Sequence, residues 1–236
     1  MSVRHLDYLL EPKSIVVVGA SERAGSVGAT VWANLRSGGF SGPIYAVNPK
    51  HAALGGVASF ARAANLPQVP DLAVVCVPPA AVPGVIEELG RLGTRAAIVM
   101  TAGLGAAQKQ AMLNAARIHV LRILGPNCLG LLSPHLGLNA SFAHTHALPG
   151  EVAFVSQSGA LVTAVLDWAK TRRIGFSHMV SIGERADVDF GDLLDYLASD
   201  EPRPTECSGS VALRGAHRDP QKFPKLVLAT GRCSIL

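Results

Sequence analysis

The stretch Ser14-Ile15-Val16-Val17-Val18-Gly19-Ala20-Ser21-Glu22-Arg23-Ala24-Gly25-Ser26-Val27-Gly28 decides the fold. A short β-branched run that ends in glycine reads as a strand buried on both faces. The glycine-bearing turn after it opens a segment of helical composition, residues 26–36, which Gly38-Gly39 stops. Working outward, the same alternation returns. Strands are expected over 44–47, 72–77, 96–100 and 121–124. Helices are expected after the third strand, to about residue 92, and over 106–117. Apolar strands alternating with helices imply parallel pairing and right-handed crossovers, hence an α/β doubly wound parallel sheet over residues 8–132. Residues 133–150, with their Pro and Gly, read as a linker. The pattern restarts over 151–236, with strands at 151–155 and 178–182 and helices at 158–171 and 190–198. Beyond residue 199 it degrades, and the later apolar runs are Val211-Ala212-Leu213 and Leu226-Val227-Leu228-Ala229. A parallel unit ending after two strands would leave apolar faces uncovered, so the second domain reads as incomplete.

Composition removes several classes. A chain of 236 residues, 49% hydrophobic and 16% charged, can bury a core and is no disordered tail. Four cysteines, at 76, 128, 207 and 233, form no C-x-x-C pair and suit neither a disulfide scaffold nor a zinc or iron–sulfur site. A net charge of +4 is too small and too scattered to argue for nucleic acid, yet it suits a small anionic ligand. The N-terminus leads into charge rather than an apolar signal core. The longest uncharged stretch, residues 123–150, is broken by Pro126, Asn127, Pro134 and Asn139. A cytoplasmic protein with no membrane partner is expected.

In an open parallel sheet, ligands sit beyond the carboxyl ends of the strands, so the loops after each strand carry the chemistry. Gly19, Ala20 and Ser21, followed by Gly25, Ser26, Val27 and Gly28, form a turn whose backbone can approach a phosphate at a helix N-terminus. An ordinary β–α turn would read the same way. The loop is neither a G-x-G-x-x-G fingerprint, since Ser21 stands where the second glycine belongs, nor a P-loop. After the second strand come Asn48, Pro49 and Lys50, with no Asp or Glu anywhere in 44–60. That disfavours NAD, whose ribose needs a carboxylate, and leaves NADP and coenzyme A. Val77, Pro78 and Pro79 offer a rigid apolar shelf for an adenine, or simply a stiff loop. Thr101, Ala102 and Gly103 leave room for a chain-like ligand. Asn127 can donate and accept, while Cys128, between glycines and with no obvious base, reads as a packed thiol. Ser156, Gln157, Ser158 and Gly159 place hydroxyls at a second helix N-terminus, as a phosphate cradle or as simple caps. His144 and His146, in the linker, read as solvated rather than metal-binding.

These loops, in this order, resemble the NDP-forming acyl-CoA synthetases. The carriers are Gly-Ala-Ser at 19–21, Gly-Ser-Val-Gly at 25–28, Val-Asn-Pro-Lys at 47–50, Thr-Ala-Gly at 101–103, Gly-Pro-Asn-Cys-Leu-Gly at 125–130 and Ser-Gln-Ser-Gly-Ala-Leu at 156–161. Residues 186–197 fit the same pattern, and the alpha subunit of succinyl-CoA synthetase is more distantly similar. The resemblance implies a Rossmann-like CoA-binding domain followed by a flavodoxin-like domain of succinyl-CoA-synthetase type. It also implies reversible conversion of acid, CoA and ATP to acyl-CoA, ADP and phosphate through a phosphohistidine. It assigns residues 19–28 to the CoA phosphates and Lys50 to the nucleotide end. Residues 77–79 would meet the adenine, 101–103 and 127–128 the pantetheine and thioester end, and 156–159 the phosphoryl group. The family's Ser-His-Thr-Gly-like stretch has no counterpart in this sequence, because His217 lies in an unrelated setting. The patchy match after residue 199 is expected to reflect truncation or a frameshift. The chain is accordingly expected not to turn over alone, and to need an ATP-grasp (beta-type) subunit or domain to handle ATP or ADP. A non-catalytic CoA- or nucleotide-sensing module and an NADP-dependent oxidoreductase are the alternative readings.

Overall fold

The computed structural model describes residues 3–199 and the backbone of residues 226–230. The order is α1 (Leu6–Leu10), β1 (Ile15–Val18), α2 (Val27–Ser37), β2 (Ile44–Val47), β3 (Ala53–Leu54), β4 (Val57–Phe60), β5 (Leu72–Val75), α3 (Val82–Leu92), β6 (Ala96–Val99), α4 (Ala106–His119) and β7 (Arg122–Leu124). There follow β8 (Gly130–Ser133), β9 (Leu138–Ser141), β10 (Pro149–Ser156), α5 (Gly159–Thr171), β11 (Phe176–Ser181), α6 (Phe190–Ser199) and β12 (Leu226–Thr230).

Strand β1 is buried at every position. Its side chains alternate between two cores. Ile15 and Val17 pack with Val31, Trp32 and Leu35 of α2 and with α1. Val16 and Val18 pack with Ile86 and Leu89 of α3 and Met112 of α4. Each such buried aliphatic side chain contributes about 1.5–3 kcal/mol relative to exposure. With both faces covered, β1 lies inside a seven-stranded sheet of order β3-β4-β2-β1-β5-β6-β7. It pairs in parallel with β2 on one side and β5 on the other. The crossovers reverse direction at β1, which opens a crevice at the carboxyl ends of β1 and β5. The hairpin β3–β4 escaped the sequence reading although Gly55-Gly56, both at positive φ, joins its strands.

The second sheet is five-stranded, in the order β12-β10-β11-β8-β9. Its β10–β11 pair is parallel, while β8, β9 and β12 run antiparallel to their neighbours. Residues 133–150, read as a linker, therefore contain β9 and the start of β10. Three polar residues of this stretch are buried and satisfied internally. Ser133 Oγ donates to Leu10 O (3.3 Å), and Ser141 Oγ donates to Asn139 Oδ1 (2.6 Å) while accepting from Ala143 N (3.2 Å). The apolar run at 226–229 falls within β12, while the run at 211–213 lies outside the described residues. Among the described residues no helix is long and apolar enough to cross a membrane.

Two seams hold the units together. Asn34 of α2 donates through Nδ2 to Ser141 O (2.9 Å) and Ala143 O (2.8 Å). Beyond β11, the segment 184–188 runs along the open side of β7, with Glu184 N to Pro126 O, Ala186 N to Gly125 O and Val188 N to Ile123 O at 2.9–3.0 Å. Arg122 of β7 anchors this seam, donating to Asp187 Oδ2 at 3.0 Å and Asp192 Oδ2 at 2.6 Å. Burial alone would lower the Arg122 pKa, but the two carboxylates outweigh it and raise the value. Arg122→Ala removes one partner of the buried pair with Asp192 and should cost about 3–5 kcal/mol in denaturant unfolding. Arg91→Ala removes the exposed pair with Glu87 and should cost no more than about 1 kcal/mol in the same assay.

Candidate functional site

The carboxyl ends of the first sheet border a cleft of about 1110 Å³. The first loop forms its floor. Gly19 has φ +89, and a Cβ there would lie 2.6 Å from Cys76 O. A Cβ on Gly28 would collide with the Gly19 carbonyl, so both positions exclude any side chain and bring two backbones together. Helix α2 starts directly from this loop, with Ser26 as its cap, Oγ accepting from Ala29 N (3.3 Å). The first N–H groups of a helix have no partner within it and carry the positive end of its dipole.

The loops are tied side to side. Asn48 Nδ2 donates to Ala20 O (2.7 Å), while Asn48 Oδ1 accepts from Lys50 N (2.8 Å). Thr101 Oγ1 donates to Val77 O (2.7 Å), and Asn127 N donates to Thr101 O (3.1 Å). Asn127 Nδ2 reaches Glu184 Oε1 (3.4 Å), and Glu184 also pairs with Lys109.

Of the residues expected from sequence, Gly19, Ser21, Gly25, Ser26, Val27, Gly28, Asn48, Pro49, Lys50, Val77, Pro78, Thr101, Ala102, Asn127, Cys128 and Gly159 line the cleft. Ala20 is buried behind the loop and serves through its carbonyl. Pro79 begins a short 3-10 turn, and neither it nor Gly103 is part of the wall. Ser156, Gln157 and Ser158 are also outside it. Ser158 Oγ accepts from Leu161 N (3.3 Å) and Ser156 Oγ from Ser158 N (3.1 Å), which is the capping arrangement. The structure adds Arg23, Arg62, Met100, Leu129, Phe142 and Ala160 to the lining. Arg23 stood unused in the quoted loop. Arg62 follows β4, a strand the alternation did not reveal.

Arg23, Lys50 and Arg62 are lining cations, and Glu88 is the one carboxylate among the described lining residues, its Oε1 3.6 Å from Arg62 Nε. Cys128 is buried and its Sγ donates to Val99 O (3.4 Å). Burial pushes the Cys128 thiol up to about 12, and it does the same to Cys76. Both are therefore protonated near neutrality and are poor nucleophiles. His144 Nε2 lies 2.7 Å from Asp167 Oδ1, and His146 turns instead to Ser37 and Asn139. Among the described residues no group of three or more His, Cys, Asp or Glu could hold a metal ion.

A floor of glycine backbone, three lining cations and an uncharged continuation thus border one cleft. Comparison with known proteins gives the class: residues 13–134 match the CoA binding domain and residues 149–211 the succinyl-CoA ligase like flavodoxin domain. The chain belongs to the CoA-binding domain family, and its homologues are the alpha-type parts of ADP-forming acetate–CoA ligases. It is 39% identical over 202 residues to the ADP-forming acetate–CoA ligase I of Archaeoglobus fulgidus, covering 83% of this chain and 29% of that protein. The alpha subunit of ADP-forming acetate–CoA ligase I of Pyrococcus furiosus is 37% identical over 210 residues, covering 83% and 45%. Among solved structures, the dinucleotide-forming acetyl-coenzyme A synthetase 1 of Ca. Korarchaeum cryptofilum, in complex with phosphate and ADP, superposes with a TM-score of 0.79 at 38% identity. That match covers 83% of this chain and 43% of the other. The chain thus spans less than half the length of these relatives.

The raised thiol values give a signed pH dependence. A thiol whose folded pKa exceeds its ordinary 9.0 leaves stability intact below about pH 9 and withdraws it as the pH climbs toward about 12. Unfolding free energy measured across that window should fall, and Cys128→Ala should flatten the decline. Gly28→Ala should cost about 1–3 kcal/mol by forcing the Gly19 carbonyl away, read as a lowered denaturation midpoint.

Proposed function

We propose that this chain is the CoA-binding portion of an ADP-forming acyl-CoA synthetase and that CoA lies along the cleft. The observation that carries this is the order of chemistry across the sheet edge. Basic residues Lys50 and Arg62 follow β2 and β4 at one side, the glycine-floored helix start of α2 follows β1, and small or apolar residues follow β6 and β7. CoA carries the same succession of charge: a ribose phosphate, a diphosphate and a long uncharged arm. In this reading the amides of Val27 and Gly28 meet the diphosphate. Lys50, whose backbone the Asn48 side chain holds in a turn, meets the ribose phosphate. The shelf at Val77-Pro78 meets the adenine, and Thr101, Ala102 and Asn127 flank the arm. When bound, CoA supplies the thiol that carries the acyl group. The buried Cys128 does not compete with it, being held protonated against Val99 O.

The relatives are named as ligases of acid to CoA, and one of them is an alpha subunit. Turnover here accordingly requires the phosphohistidine and ATP-grasp parts that the family uses, the latter from a beta-type partner or domain. The capped start of α5 at Ser158-Gly159 is where a phosphoryl group would be received, with Gly159 on the cleft wall.

Calorimetric titration with CoA, NADP and NADH tests the reading. Binding of CoA without NADP or NADH is expected, and binding of NADP alone would replace it with a dehydrogenase. Lys50→Ala should weaken CoA by about 1.5–3 kcal/mol, the loss of a charge-assisted contact, and leave 3′-dephospho-CoA nearly unchanged. Equal losses for the two ligands would show that Lys50 does not touch that phosphate.

A further inference from the structure

We propose that Phe142 sets the size of the acyl group the cleft accepts; the inference rests on the reading of the cleft as the CoA site. Phe154, Phe176 and Phe190 are buried, whereas Phe142 keeps 36% of its surface exposed and lies on the cleft wall. Its exposure does not come from a slack backbone. Phe142 N donates to Leu129 O (3.2 Å), which seats it beside the residue that follows Asn127-Cys128. On either side, Ser141 O and Ala143 O are both held by Asn34 Nδ2. The fold thus presents an aromatic side chain to the cleft and fixes the main chain behind it. Leaving that apolar surface in water is unfavourable, and a ligand's apolar end would cover it.

The surrounding wall has little room to yield. Leu129 is buried, and a Cβ on Gly159 would stand 3.1 Å from Leu129 Cβ, so the opposing helix start already packs against it. Met100 and Ala160 complete an uncharged surface. With the anionic end of CoA drawn to Lys50 and Arg62, the arm's far end and its acyl group arrive at Asn127–Leu129 and meet Phe142. The group whose bulk this wall measures is therefore a small, uncharged acyl chain.

The test is calorimetric binding of CoA, acetyl-CoA and phenylacetyl-CoA to the wild-type chain and to Phe142→Ala, Phe142→Trp and Ile118→Ala. Ile118, exposed on α4, is outside the cleft and controls for loss of apolar surface. The readout is the ratio of each acyl-CoA dissociation constant to that of CoA in the same variant. Phe142→Ala should shift the phenylacetyl-CoA ratio toward tighter binding by about tenfold, Phe142→Trp should shift it the other way, and Ile118→Ala should leave it alone. Ratios within about twofold of wild type in both Phe142 variants overturn the proposal while leaving the CoA site intact. A wild-type chain that binds no CoA at all removes the cleft reading and this inference with it. If Phe142→Ala melts at a lower temperature than wild type, Phe142→Trp decides the matter.

Discussion

Everything at the cleft depends on the strand-end loops being fastened to one another rather than hanging separately from the sheet. Parallel strands end together on one edge, and each hands over to a loop that has no ladder to hold it. Here Asn48 reaches back to Ala20, Thr101 to Val77 and Asn127 to Thr101, so the fastening passes from β2 to β1 and, in a second set, through the loops after β5, β6 and β7. These bonds use side chains and amides whose loss from water is compensated within the protein. The backbone surface left over, the glycine floor and the first turn of α2, keeps its shape before any ligand arrives. Preorganisation of that kind lowers the ordering cost of binding.

The same economy explains the residue types. Gly19 and Gly28 are glycines because two backbones meet there. Asn48 occupies its position because one amide can donate to a neighbouring loop while its oxygen shapes the turn before Lys50. Arg122 is tolerated inside the seam because Asp187 and Asp192 answer its charge, and the seam brings the loop after β11 against Asn127. The cleft is a property of both units: Leu129, Phe142, Gly159 and Ala160 reach it from the elements of the second sheet and its helix.

Much of this was legible in the residues. The run at 15–18 announced a doubly covered strand, and the breakers after each later strand marked where chemistry would gather, because burial and turn-forming are local properties. What failed was long-range. Residues 133–150 read as a linker, yet Ser133, Asn139 and Ser141 satisfy one another or the main chain of α1 inside a sheet in which β8 pairs with the distant β11, Leu132 lying opposite Met179. Missing β9 hid Phe142, and missing β4 hid Arg62. The hydroxyls of Ser156 and Ser158 were visible, but their geometry shows them bonded to the start of their own helix. A polar residue's destination depends on what packs over it, and no window of neighbouring residues contains that information.

The β8–β9 pairing also bears on how such a protein could be divided. Residues 13–134 are the segment that a modular view would lift out as a unit, yet the ladder partners of β8 among the described residues are β9 and β11. Excision there would leave a strand with both margins open, an invitation to self-association of the released piece. Recombination between relatives is better tolerated where the graft carries both halves of that interlock.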